Sequence, residues 1–181
     1  MLFRSLPASM NQVEYFGRGP AENYLDRNAG SMVGLYKSTA EELYFPYVRP
    51  QENGHHTDTR WVSLSTGKKG LLIQADNTIG FNALRNSIED FDDEEATGLP
   101  RQWSNFTPEQ VANHDEAAAK NVLRRQHHIN NITPRDFVEV CVDLKQQGVA
   151  GYDSWGSRPE PAYTLPANRE YNWGFTLIPL K

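Results

Sequence analysis

Apolar and polar residues alternate in short runs along most of this chain, the period of a strand with one buried face. Trp61-Val62-Ser63-Leu64-Ser65 alternates, Thr66-Gly67-Lys68-Lys69-Gly70 supplies turn residues, and Leu71-Leu72-Ile73-Gln74-Ala75 returns. A hairpin is predicted there. Shorter strands are predicted at Val13–Phe16, stopping at Gly17, and at Phe81–Leu84. From Phe137 to Leu144 the pattern sets Val138, Val140, Val142 and Leu144 on one face, with Phe137, Glu139, Cys141 and Asp143 on the other. The last strand sets Tyr171, Trp173, Phe175 and Leu177 against Asn172, Gly174 and Thr176. Many short strands between turn residues predict a mainly β chain folded as an antiparallel β-sandwich, not an α/β fold.

Three stretches interrupt the alternation. Gly17 to Tyr24 is a glycine- and proline-broken loop. Its Gly-x-Gly start lacks the third glycine of a phosphate loop, since Glu22 stands in that place, and no strand–helix unit surrounds it. Tyr44 to Arg60 carries two prolines and several aromatics, so it reads as an ordered loop packed on a sheet. The third stretch, 88–125, is an expected loop-plus-helix insertion within a single 1–181 domain. It opens on an acidic run, Ile88 to Glu95, which lacks the glycine of a calcium loop. Thr107 then serves as a helix N-cap, with Pro108 in the first turn and Gln110 completing a capping box. Val111, Ala118 and Val122 share a face of that helix, and Arg124 and Arg125 suit its C-terminal end.

Composition narrows the function classes. The chain has 181 residues, 38% of them hydrophobic, with a mean hydropathy of −0.67. That is enough for one domain with a core and shows no run long enough to span a bilayer. The first residues lack the apolar core of a signal peptide. This leaves the compartment open between cytoplasm and periplasm. A net charge of −5 without a basic stripe argues against nucleic acid as a partner. A lone cysteine, Cys141, excludes an internal disulfide framework. Sequons at Asn105 and Asn131 matter only on a secretory route.

Familiar catalytic constellations are missing. His55-His56 and His127-His128 are adjacent pairs, whose side chains on extended backbone point to opposite faces. No H-E-x-x-H, C-x-x-C or G-x-S-x-G motif accompanies them. No acidic residue stands in a context that marks it as a glycosidase acid or nucleophile. The remaining feature is the loop Gly151-Tyr152-Asp153-Ser154-Trp155-Gly156-Ser157-Arg158-Pro159-Glu160-Pro161. Small neighbours leave Trp155 little local cover, and two prolines stiffen the exit. Such an indole either folds back onto a core or is displayed to stack on a flat apolar face, such as the C–H face of a sugar.

Three ordered blocks carry a resemblance. Tyr15-Phe16-Gly17-Arg18-Gly19-Pro20-Ala21-Glu22-Asn23-Tyr24-Leu25-Asp26-Arg27, then Tyr47-Val48-Arg49-Pro50-Gln51-Glu52-Asn53-Gly54 with Thr59-Arg60-Trp61, and then Gly151-Tyr152-Asp153-Ser154-Trp155-Gly156 resemble blocks of the large β-galactosidases of glycoside hydrolase family 2. The third departs from the family pattern at Gly151-Tyr152. The resemblance covers Tyr15 to about Leu180, apart from the insertion.

The resemblance implies a galactose-mutarotase-like supersandwich, the C-terminal domain of such an enzyme, truncated on its N-terminal side. It implies that the catalytic glutamates belong to a separate TIM barrel. The chain would pack on that barrel, lend Trp155 to the pocket for terminal β-galactosides, and be inactive alone. Cofactors are expected nowhere in this chain, the family's Mg²⁺ and Na⁺ being bound elsewhere. A homo-oligomer is admitted, because a sheet lacking upstream strands would leave Phe137–Leu144 with an open edge. The rival is an independent carbohydrate-binding module or an aldose-1-epimerase-like protein. An epimerase would need an acid and a base, for which His55, His128 and Glu52 are the candidates.

Overall fold

The computed structural model describes residues 2–91, 129–153 and 155–181. The chain divides into two compact units, one of Met1–Phe45, Asn53–Arg85 and Asp136–Lys181, the other of Pro46–Glu52 and Asn86–Arg135. All the described strands belong to the first. They are β1 (Leu2–Pro7), β2 (Gln12–Gly19), β3 (Met32–Thr39), β4 (His56–Ser65), β5 (Gly70–Leu84), β6 (Phe137–Asp143) and β7 (Phe175–Leu180). The architecture is therefore mainly β and antiparallel, β-sandwich-like as the alternation predicts. The seven described strands form one sheet in the order β1-β6-β5-β4-β2-β3, with β7 also on β5.

The predicted hairpin is β4 and β5, joined by the Thr66–Lys69 turn, where the Thr66 N–H donates to Lys69 O at 2.9 Å. The predicted strands at 71–75 and 81–84 are two halves of the single strand β5. Its first half pairs with β7 and its last residues with β6. The register explains how one strand serves both. From Thr59 to Trp61 on β4, two residues on, the partner on β5 moves five, from Ile79 to Gln74. Residues 75–78 therefore bulge out and bend the strand.

One face of the sheet carries the core. Tyr15 of β2 sits opposite Val62 of β4, which sits opposite Ile73 of β5, and all three are buried. Further along, Phe81 pairs with Val142 and Ala83 with Val140. Burying each large aliphatic side chain contributes about 1.5–3 kcal/mol, so this row is the main source of stability in the unit. The opposite face is more open, with Phe16 set between Leu35 and Trp61. Arg60 covers the Phe16 ring with its guanidinium, 5.7 Å from the centroid.

Several expectations need correcting. Strand β6 has no open edge, because β1 pairs with it on one side and β5 on the other. Leu144 lies beyond β6 and is half-buried, whereas Cys141 and Asp143 of the supposed outer face are buried. A strand paired on both sides and covered on both faces has no polar side to show. The last strand begins only at Phe175, so Tyr171 and Trp173 precede it and remain partly exposed. No strand was foreseen at Met32–Thr39, and β3 is an edge strand with exposed Met32, Val33 and Leu35.

In the second unit, Ile88–Phe91 is a single 3-10 turn. Asp90 is buried and receives the Arg135 guanidinium through both carboxylate oxygens, with Nε at 3.0 Å from each. Burial opposes ionisation there, but Arg135 and the neighbouring donors hold the carboxyl below its ordinary range. The helix predicted from Thr107 to Arg125 lies outside the described residues.

Candidate functional site

The first two sequence blocks meet in one buried polar layer. Asn23 is fully buried, and its Oδ1 accepts from the Thr57 N–H at 3.0 Å and the Thr57 hydroxyl at 2.5 Å. Its Nδ2 donates to Arg18 O and Ala21 O, and its backbone N–H donates to His55 O at 2.7 Å. Glu22, also buried, accepts the Gly54 N–H on Oε2 at 2.7 Å. The Arg27 guanidinium reaches Glu22 Oε1 at 3.4 Å. A stretch that would otherwise bury bare amides is thus held by side chains from more than thirty residues upstream.

The two histidines of this layer differ. His55 Nδ1 lies 2.9 Å from Asn82 Oδ1, and Asn82 Nδ2 donates to Asn53 O at 2.7 Å. That second bond fixes the amide, so Nδ1 carries the proton and Nε2 is a bare lone pair. Nε2 has no partner and packs against Gly80, where a Cβ would come within 2.6 Å of it. Burial therefore drives His55 down to about 4, with the Asn82 bond opposing and His56 adding to the fall. His56 faces Gly54 O at 3.0 Å and Pro20 O at 3.2 Å, and its ring stacks on Phe81 with centroids 5.1 Å apart. Burial lowers it too, while the two carbonyls and the Glu22 carboxylate pull upward. Tyr15 closes the cluster edge-on to His56 at 4.8 Å.

The third block is built in the opposite sense. Gly148 N–H donates to Tyr163 O at 2.8 Å, Val149 N–H to Asp26 Oδ1 at 3.0 Å and Ala150 N–H to Asp26 Oδ2 at 2.8 Å. Ala150 and Gly151 then adopt positive φ, +56° and +87°, and reverse the chain. Asp153 Oδ1 accepts the Trp155 N–H at 2.8 Å and the Ser157 N–H at 3.4 Å. Gly156 follows with φ +84°. Trp155 is left 92% exposed, and Tyr152, three residues earlier in the loop, is also open. The packing alternative weighed from sequence would need a covered ring, which this loop does not give.

Of the epimerase candidates, His55 is wholly buried and offers no face to a substrate. Glu52 belongs to the second unit, and His128 lies outside the described residues. Among the described residues no group of three or more His, Cys, Asp or Glu is gathered to hold a metal ion. Sequence reasoning missed Asp26 as a loop anchor. The signal available was an acidic residue inside a motif block with no catalytic task to explain it.

Comparison with known proteins identifies what carries these blocks. Residues 2–177 match the family model of the β-galactosidase small chain. A β-galactosidase of Priestia megaterium (strain DSM 319 / IMG 1521) is 35% identical over 99% of the chain. One of Streptococcus thermophilus is 28% identical over 97%. In both cases the chain spans 14% of the relative's length. A β-galactosidase of Arthrobacter sp. (strain B7) is 40% identical over 47% of the chain and 9% of its own length.

Proposed function

The chain belongs to the β-galactosidase small chain family, and from that premise we propose that it lends Trp155 to the galactoside pocket of a β-galactosidase. It is read as the C-terminal, mutarotase-like supersandwich domain of a glycoside hydrolase family 2 enzyme. A separate TIM barrel supplies the acid and the nucleophile, and this chain packs against it. Mg²⁺ and Na⁺ are assigned to other parts of that enzyme. Terminal β-galactosides are the substrates.

The observation that carries the reading is the display of Trp155. An indole 92% exposed on a loop fixed by Asp26 and Asp153 has nothing to cover within its own unit. A galactose ring has an apolar C–H face of matching size, and aromatic stacking there fixes the sugar without a charged contact. The buried His55–His56 layer is architecture under this reading, which takes His55 out of the candidates for an epimerase acid or base.

Trp155→Ala in the complete enzyme tests it. Galactoside KM is expected to rise by the equivalent of about 1–3 kcal/mol, the loss typical of an aromatic anchor in a concave site. An unchanged KM would sink the assignment.

A further inference from the structure

We propose that Asp26 is the positioning residue of the Trp155 loop, acting on galactoside binding through Trp155 and touching no substrate itself. The inference rests on the stacking role given to Trp155 above. Its basis is the pair of bonds from successive amides, Val149 N–H to Oδ1 at 3.0 Å and Ala150 N–H to Oδ2 at 2.8 Å. Both oxygens of one carboxylate are engaged, so the plane of the Val149–Ala150 peptide segment is set by a charged group across 124 residues of sequence.

That plane decides where the loop goes. Ala150 and Gly151 follow immediately in the left-handed region. A non-glycine residue stays there only when its surroundings over-determine it, and here the carboxylate does so. The approach is close enough to dictate the neighbouring residue as well. A Cβ on Gly148 would lie 2.5 Å from Asp26 Oδ2 and 2.6 Å from Cγ. Gly148 is in turn held by Tyr163 O, so the loop is gripped just before it turns.

Asp26 is itself anchored. Arg27 N–H donates to Tyr24 O at 2.8 Å, and Asn23 N–H donates to His55 O at 2.7 Å. The same short block therefore reaches the rigid buried layer through Asn23 and the exposed tryptophan loop through Asp26. Rigid elements hold a recognition group more closely than a free loop would. This gives Asp26, the second acidic residue of the first block, a purpose: it transmits the order of the sheet to Trp155.

The experiment is a double-mutant cycle in the complete β-galactosidase, reading KM, kcat and melting temperature for Asp26→Asn, Trp155→Ala and the pair. Asparagine keeps the shape but turns an NH₂ toward a backbone N–H that needs an acceptor. Asp26→Asn is expected to raise KM roughly fivefold with kcat held within about twofold, and to add nothing further when Trp155 is already alanine. Gly148→Ala, which displaces the carboxylate from the other side, should raise KM in the same way, and it decides the matter if Asp26→Asn does not fold. If Trp155→Ala raises KM while Asp26→Asn and Gly148→Ala leave it unchanged, the positioning role is overturned and the stacking role stands. KM effects of Asp26→Asn and Trp155→Ala that simply multiply overturn it as well. Unaltered KM in Trp155→Ala overturns the stacking role instead, and the positioning role with it.

Discussion

The buried layer around Asn23 and the loop around Trp155 are both dense in motif residues, yet they are built on opposite plans. In the layer, side chains serve backbone: Asn23, Glu22 and Asn82 take up the amides and carbonyls of residues 53–57 and the nearby turns. In the loop, backbone is arranged to free a side chain: amides at 148–150, 155 and 157 are tied down while the indole stays in solvent. A run of recognisable residues is therefore no guide to which of them meets a ligand. Burial and the direction of the hydrogen bonds separate the two plans: the first two blocks bury polar side chains against backbone, and the third leaves its indole exposed.

The sharpest way to break this contrast is to delete the side chain on which the layer converges. Asn23→Ala leaves the buried Thr57 N–H and hydroxyl without their shared acceptor, and takes the side-chain amide donor away from Arg18 O and Ala21 O. Stability is expected to fall by roughly 3–5 kcal/mol, since each buried polar group left unsatisfied costs about 1–3 kcal/mol. Urea denaturation of the purified chain measures it. A loss under about 1 kcal/mol would show that the layer relaxes easily and is not the frame it is taken to be.

A somewhat smaller effect is expected from acid. Folded His55 stays neutral down to about 4, whereas the unfolded chain takes up that proton near the ordinary 6.5. As pH falls from 6.5 toward 4, the unfolded state gains a proton the folded state cannot hold. The stability present above 6.5 is then lost at up to about 1.4 kcal/mol per pH unit, on the order of 3 kcal/mol in all. His56 works in the same direction. Asp143, raised by burial, works in the opposite one. His55→Gln should flatten the slope between pH 5 and 6.5 by about one proton, and an equal slope in both proteins would refute the neutral buried ring.

How much of this could be read from sequence depends on the reach of the interactions. The turn at Thr66–Lys69 and the strands on either side are local, and period-two patterning finds them. Asn53-Gly54-His55-His56-Thr57-Asp58-Thr59 reads as a polar loop, yet Asn53 to Thr57 and Thr59 are buried and β4 begins within the run. The Gly54 and Thr57 amides, the Asn53 carbonyl and His55 Nδ1 are met by Glu22, Asn23 and Asn82, 27 to 34 residues away, and no local periodicity records that. The same holds for Asp26, whose partners lie 123 and 124 residues downstream. Trp155 is legible only in part. Glycines, prolines and an aspartate two residues before it mark an ordered turn, but those residues alone leave packing and display both open. The grip of Asp26 on the loop comes from far away in the chain.

The smallest effect is the one that separates presentation from packing most cleanly. Trp155→Ala, expected to damage galactoside KM, should leave folding stability of the purified chain within about 0.5 kcal/mol of the parent, as for surface positions free of packing. The reason lies in what holds the loop. Asp26 grips it through the amides of Val149 and Ala150, and Asp153 through those of Trp155 and Ser157. All four are backbone donors that alanine retains. The indole, 92% exposed, removes little apolar surface from water in this chain, so its truncation opens no cavity. A tryptophan in a core would behave in the opposite way, costing about 3–5 kcal/mol when cut to alanine. Thermal and urea melts of the two proteins therefore read directly on which plan the loop follows. A melting temperature that collapses with the mutation would move Trp155 out of the displayed class and into the buried one.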